Sequence, residues 1–473
     1  MELRPLLEHS PLLRSARDAL ERHDPWVVGG TVRDLLTERP LEDLDLVVSG
    51  EAKTAARTLA GAVGGHVFSL SERFGAWRVI APDRSWQADL TPMRDGAIGA
   101  DLALRDFTIN AMAVPLVTGE PLHDPYGGRE DLNKRLIRVV ADSAYGDDPL
   151  RTLRMARLAC ELEFDVDSRT LELAAGNAAA ITRVAPERVF YEFRRLLVSD
   201  NVMRGIELMD AAGLVAVLLP ELEEQKGVEQ NPYHHLDVWG HTLAVLEALL
   251  EFERDPTAVF GDSADALVGE LARPLADDVT RGQALRLAAL LHDIGKARTR
   301  RVNDEGRVLF IGHDQLGATM VEALCRRLRT SVELSDYLAA ITRCHLYLGF
   351  LVHERPLSRR HVYHYLRACE PVELEVTVLT VADRLATRGE RTRQEAVDAH
   401  LDLAREIVGE GLDWRRSGPA EPLVRGDELM QELRVEAGPR VGELLELLRE
   451  AQFAGDVSSR EEALDLARRS ARE

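Results

Sequence analysis

Two carboxylates spaced two residues apart, Asp43 and Asp45, stand in the run Asp43 to Val48. In an extended strand alternate side chains share a face, so both acids project to one side while Leu44 and Leu46 turn to a core. Neighbouring carboxylates repel and raise each other's pKa unless a cation lies between them. Hard divalent ions such as magnesium take oxygen ligands of this kind, together with substrate phosphates. Upstream, the β-branched run Trp26 to Val28 breaks at Gly29-Gly30, ahead of a helix through Val32 and Leu36. Glycines there let the backbone approach an anion, and the helix start favours a triphosphate. Arg33, in the first turn, can reach phosphate oxygens. Taken singly, an acidic pair on a strand is more often solvated surface, and a glycine pair more often a turn. In this order the two point to metal-assisted chemistry on a nucleotide.

These residues carry a family resemblance. G-G-T-V-R-D followed by D-L-D resembles the catalytic signature of polymerase-beta-type nucleotidyltransferases, and more narrowly that of the bacterial class II tRNA nucleotidyltransferases and their poly(A) polymerase relatives. The resemblance runs from about Trp26 to Glu461. It implies an α+β nucleotidyltransferase head followed by an all-α body, with two magnesium ions held by Asp43, Asp45 and a third acid on a neighbouring strand. Asp89 fits that place, on the second strand of a hairpin turning at Pro82-Asp83. Further on, L-R-D-F-T-I-N resembles the family's R-R-D-F-T-x-N-A, with Leu104 where the first arginine would stand. Arg105 and Asp106 are expected to head a helix, the arginine pairing with phosphate and the aspartate accepting from ribose hydroxyls, with Asn110 in the same motif. Asp124 and Gly127-Gly128 match a structural D-P-x-G-G turn. In D-D-P-L-R, Asp148 and Arg151, three apart on a helix, match the segment the family uses to read cytosine and adenine. Arg154 continues that stripe; a surface ion pair is the plain alternative. The connection from Asp89 to Arg105 is shorter than in full CCA-adding relatives, where a flexible loop is associated with the switch from CTP to ATP, so addition of CC alone fits.

The second half concentrates histidines. His241, the adjacent pair His292 and Asp293, His313, His345 and Asp383 come in the order H…HD…H…H…D. Single helical histidines are mostly ordinary half-buried residues, but imidazoles and carboxylates from separate helices form a set suited to transition metals. The H-D-I-G-K context resembles the HD-domain metal phosphohydrolases. A divalent ion there, of unspecified identity, implies phosphomonoesterase or phosphodiesterase chemistry, with Lys296 holding phosphate. A structural metal domain is the bland counterpart.

At 473 residues the chain is expected to form several domains. The reading divides it into a head over 1–145, a helical neck over 146–224 for nucleotide selection and RNA, an HD domain over 225–411, and a linker and helical tail over 412–473. Arg415 to Gly426 reads as linker, and Asp255 to Gly282 as an inserted loop or short helix. The net charge of −21 argues against broad non-specific nucleic-acid binding and leaves room for RNA held by a local arginine strip. No apolar run spans a membrane, the start is charged, and the four cysteines lack C-x-x-C spacing, so a cytoplasmic protein with reduced thiols and no disulfide partner is expected. The function expected is template-independent addition of CMP, with AMP left open, to tRNA 3′ ends from CTP and ATP, beside a phosphohydrolase centre. A poly(A) polymerase, or an HD hydrolase or RNA-binding regulator with a relic transferase half, are the alternatives.

Overall fold

The computed structural model describes residues 7, 10–41, 43–72, 75–418 and 421–471. The chain forms two compact units, residues 1–218 and 219–473.

The first unit begins with α1 (Pro11–Leu20), capped by Ser10, and then builds a six-stranded mixed sheet. Its strands are β1 (Trp26–Val28), β2 (Asp43–Val48), β3 (His66–Ser71), β4 (Ala76–Ile80), β5 (Gln87–Pro92) and β6 (Ala113–Pro115), in the order β3-β4-β5-β2-β1-β6. Only β2 and β5 pair in parallel. That pairing matters most, because it sets Asp45 opposite Asp89 and Asp43 opposite Gln87. The register follows from alternation: Leu44 and Leu46 on β2, and Ala88 and Leu90 on β5, are buried on one face, which leaves the polar residues on the other. Between the strands lie α2 (Gly30–Leu36) and α3 (Ala52–Val63), whose Ala55, Ala56 and Leu59 are fully buried. After β5 comes α4 (Ile98–Ala103), reached through only residues 93–97.

Arg105 and Asp106 do not head a helix; they lie in the turn between α4 and the short 3-10 segment Thr108–Asn110. The Asp106 carboxylate accepts from the N–H of Phe107, a local bond that competes with helix formation. The unit closes with helices, among them α5 (Arg151–Leu162) and α6 (Pro186–Leu197). Asp148 likewise lies outside α5, in extended conformation ahead of Pro149, since the residue before proline is disfavoured in a helix.

Among the described residues of the second unit the regular elements are helices and one small hairpin, Arg301–Val302 with Val308–Leu309. Its centre is made by α7 (Val238–Arg254), α8 (Arg281–Leu291), α9 (His313–Leu328), α10 (Val332–Cys344), α11 (Glu373–Ala386) and α12 (Gln394–Ser417). The stretch read as an insertion forms two short helices, Pro256–Phe260 and Ala264–Leu271. The expected linker starts late: α12 continues through Arg415, which is anchored by ion pairs to the buried Glu373 and Glu375. Helices Gly426–Leu433, Pro439–Ala454 and Arg460–Ser470 follow, sharing a core that includes Leu429, Leu444 and Leu464. All four cysteines are buried free thiols. No helix among the described residues is long and apolar enough to cross a membrane.

Candidate functional site

The acid pair of β2 is fixed from behind by Thr31, in the first turn of α2. Its hydroxyl donates to the Asp43 carbonyl and accepts from the Asp45 N–H, at 3.2 and 2.8 Å. Gly29 turns the chain from β1 into α2 with φ +68°, and a Cβ there would lie 2.2 Å from Arg105 Nη1 and 3.1 Å from Asp45 Oδ2. Only glycine permits that approach. The resulting cavity, about 740 Å³, is lined by Asp43, Asp45, Asp89, Gly30, Arg33, Arg105, Asp106, Asn110, Arg151 and Arg154, among others. Asp148 is not on this lining; its carboxylate takes Arg188 at 3.0 Å and the N–H of Leu150. Leu104 does line the cavity, half exposed, and its carbonyl accepts from Arg151.

Charge in this cavity is already partly compensated. Arg78 on β4 donates twice to Asp89, at 2.6 and 2.7 Å, and Gln87 donates to Asp43 at 2.6 Å. Among the described residues Asp45 has no such donor. Burial raises its pKa to about 6, with Asp89 and Asp43 adding to the rise and Arg105 opposing it. Asp106 shows the reverse: burial pushes upward, yet Arg154 and the bonds from Asn110 and Phe107 outweigh it and hold the carboxyl at about 2. Arg33 donates to Asn110, Asn110 to Asp106, and Arg154 to both Asp106 and Glu192. Arg78, Gln87 and Glu192 were not among the residues singled out from sequence. Gln87, two residues before Asp89 on an alternating strand, could have been found, and Arg78 faces Asp89 across the expected hairpin, in a register the turn residues alone do not fix; Glu192 arrives only through tertiary pairing. Three carboxylates at adjacent strand positions beside arginines suit a divalent ion that binds a polyphosphate.

In the second unit, His241 comes from α7, His292 and Asp293 from the turn closing α8, His313 from the start of α9, His345 from the end of α10 and Asp383 from α11. The turn can approach α9 because residue 295 is glycine: a Cβ there would lie 2.3 Å from the His313 carbonyl oxygen. Ligand-type atoms gather in two groups, His241, His292 and Asp383, and Asp293, His313 and His345, each with its atoms within 4.8 Å of one another. Asp293 reaches both groups, with Oδ2 3.0 Å from His292 Nε2 and Oδ1 3.3 Å from His313 Nε2.

The tautomers follow from the anchoring bonds. Nδ1 of His292, His313 and His345 each lies 2.6–2.8 Å from the carbonyl three residues back. A carbonyl only accepts, so each Nδ1 carries a proton, and in a neutral ring Nε2 presents a lone pair. His292 is the ring favoured to be protonated, because against the effect of burial Asp293 raises its pKa. His313 Nε2 and His345 Nε2 then face each other at 3.2 Å as two lone pairs, an arrangement that repels unless a cation lies between or a ring is protonated. Burial lowers the pKa of His345, which favours its neutral form. His241 and His292 Nε2 also make no well-formed hydrogen bond, although carboxylate oxygens lie 2.9 and 3.0 Å away. This donor set fits a divalent ion, and Asp293 stands where it can serve two. For Asp293 itself burial works upward, but His292 and Lys296 hold the carboxyl well below the usual range. Lys296 Nζ lies 2.6 Å from Asp293 and donates to Gln230 at 3.0 Å. A cavity of about 680 Å³ opens on Asp293, His313, His345 and Asp383. It is also lined by His234, Arg384 and His400, none of them singled out from sequence. His234 stacks edge-on against His241, with centroids 4.8 Å apart, and the His-rich run at Tyr233 to His235 was a usable signal.

Comparison with known proteins identifies the segments that carry the two cavities. A model for the poly(A) polymerase head domain matches residues 25–138, one for the probable RNA- and SrmB-binding site of polymerase A matches 163–226, and one for the HD domain matches 238–388. The chain is 37% identical over 454 residues to the A-adding tRNA nucleotidyltransferase of Deinococcus radiodurans, covering 94% of this chain and 95% of that one. It is 35% identical over 449 residues to the CC-adding tRNA nucleotidyltransferase of Thermus thermophilus, covering 93% and 92%. The fold resembles that of the Thermotoga maritima CCA-adding enzyme solved with tRNA, with a TM-score of 0.62 at 21% identity over 100% of this chain and 99% of that one. Head, RNA-binding and HD segments in that order, with identity above one third across nearly the whole length, make this chain a member of the tRNA nucleotidyltransferase family that carries an HD domain.

Proposed function

We infer that the chain adds CMP, without a nucleic-acid template, to the 3′ end of tRNA, and that its HD unit hydrolyses phosphate esters with a divalent ion. The observation carrying the first reading is the parallel pairing of Asp45 with Asp89, with Asp43 beside them, in the arginine-lined cavity. Magnesium suits this all-oxygen set, and when bound it would activate the tRNA 3′-hydroxyl and stabilise leaving pyrophosphate. Gly30, Arg33 and Arg105 are assigned to the triphosphate of CTP or ATP, Asp106 and Asn110 to the ribose, and Arg151 and Arg154 to the base side. Asp148 is assigned to the base side with them, its partly exposed pair with Arg188 being one that a base edge displaces. In the HD unit, the imidazole-rich set suits a transition metal, and Lys296 a phosphate oxygen. The work of such an enzyme on tRNA belongs in the cytoplasm.

Addition of C rather than the full CCA end is supported by the five-residue connection from β5 to α4, which leaves little chain for a switching loop. A second reading, addition of the terminal A, is favoured by the Deinococcus radiodurans relative. Purified protein incubated with tRNA ending before CCA, after one C or after CC, and with labelled CTP or ATP, separates them. The expected result is C added only until CC is complete. Label from ATP on the CC-ended tRNA alone selects the second reading. Long A tracts on a non-tRNA primer select poly(A) synthesis, and phosphate release without any transfer selects the relic.

A further inference from the structure

Two side chains of the HD cavity have no place in the ligand cluster. Arg384, next to Asp383 on α11, lines the same cavity with a buried Nε that meets no acceptor. Among the described residues its side chain makes no hydrogen bond and no ion pair. That is unusual in a chain with 80 acidic and 59 basic residues. Other half-buried arginines of this unit are committed: Arg281 to Glu375, Arg286 to Glu253, Arg415 to Glu373 and Glu375. Lys296, the other cation of the cavity, is committed as well, to Asp293. His400, on α12, is 6% exposed, lines the cavity, and has an Nε2 without a partner. Its ring bonds to the backbone of Thr380, one helical turn before Arg384 on α11, and both side chains line the one cavity.

Arg384 is half-buried, and its Nε is withdrawn from water without an acceptor, an uncompensated desolvation cost; the remaining guanidinium donors, in a fixed fork, make it a receptor for a planar or tetrahedral oxyanion. An imidazole nitrogen beside it serves either a phosphoryl oxygen or a P–OH, according to its protonation. We propose that Arg384 and His400 form a second oxyanion subsite in the HD cavity, adjoining the metal-type cluster, so that this centre selects substrates bearing a second phosphoryl group besides the one at Asp293 and the histidines. The proposal rests on the hydrolase reading of the HD unit and adds to it the residues that choose among phosphate esters.

The test uses the full-length chain loaded with cobalt(II), whose visible absorption reports nitrogen ligands and therefore the HD cluster rather than the all-oxygen acids of the head. Methylphosphonate and methylenediphosphonate are titrated separately and the two Kd values compared. In the wild type the diphosphonate is expected to bind about tenfold more tightly, the effect of one charge-assisted hydrogen-bonded contact. Arg384→Met should bring the ratio close to one, Arg384→Lys should keep part of it, and His400→Phe should fall between, all at wild-type cobalt content. Equal affinities in the wild type, or a wild-type ratio in Arg384→Met, overturn the subsite and leave the hydrolase reading standing. If Arg384→Met does not load cobalt, wild-type ratios in both Arg384→Lys and His400→Phe overturn it instead. A wild-type chain that takes up no cobalt overturns the hydrolase reading, and the subsite with it.

Discussion

The two clusters solve the problem of gathered charge in opposite ways. In the head, protein cations and amides already sit on the acids: Arg78 on Asp89, Gln87 on Asp43, and Arg105 close to Asp45. A metal arriving there exchanges one set of partners for another. In the HD unit Lys296 pairs with Asp293, but the Nε2 atoms of His313 and His345 face each other 3.2 Å apart while backbone carbonyls hold their Nδ1 protons. There a metal relieves repulsion that the fold has built in. The lesson is that a site which hands an ion back and forth with substrate phosphates is buffered by its own arginines, whereas a resident site is preorganised at the expense of the empty state.

The largest effect expected from this contrast is chemical. Asp43→Ala or Asp45→Ala should lower nucleotide addition about a thousandfold or more, since a catalytic ion contributes several kcal/mol and each 1.36 kcal/mol is tenfold. The metal content of the HD cluster, read by elemental analysis, should not change in these variants. Loss of HD metal from either would break the comparison.

Next in size is the response to chelation. Removing divalent ions should speed amide exchange in α9 and α10, the helices carrying His313 and His345, while β2 and β5 stay as protected as before. Hydrogen-exchange mass spectrometry checks this, and equal loosening of both units would contradict it. His313→Ala should abolish the difference, because it removes one of the opposed lone pairs.

A smaller effect concerns Arg78. Replacing it with glutamine removes the cation that competes for Asp89, so half-maximal nucleotide addition should need several-fold less magnesium. Thermal unfolding should show a loss of about 1 kcal/mol, as expected for a partly exposed bidentate pair. An unchanged or higher magnesium requirement would mean that Arg78 serves the phosphates rather than shielding the acid.

The smallest effect is a pH signature of Asp45 in the metal-free chain. Burial raises its folded pKa to about 6, above the unfolded value of 3.8. A raised acid contributes its full stability below the unfolded pKa and loses it as pH rises through the folded one. Asp45→Asn should therefore be more stable than wild type at pH 7 to 8, and this advantage should shrink toward pH 4. Melting curves at the two pH values decide it, and a pH-independent difference would point to packing instead.

What was legible in the sequence was what covalent neighbours encode. Asp43 and Asp45 follow from strand alternation, and the H-D-I-G-K turn from its own composition, because strand and turn geometry is local. Residues that meet through the fold were not visible: Glu192 reaches Arg154 from another helix, and His400 lies 108 positions beyond His292, while Arg78 needed the exact register of a hairpin that was expected. Three local expectations also gave way. Arg105 and Asp106 left the helix to a side-chain bond made by Asp106, Asp148 left it through Pro149, and the linker retreated behind Arg415, whose buried ion pairs prolong α12. The proline was readable from the sequence. The ion pairs required the fold.

The most direct test of the claim that the acids of β2 and β5 drive addition of cytidylate is the intact mass of a tRNA lacking its CCA end, after incubation with magnesium, CTP and either wild-type chain or Asp45→Asn. A gain of two cytidylates with the wild type and none with the variant is the predicted outcome. Equal gain with both, or no gain with the wild type at any magnesium concentration, would contradict it.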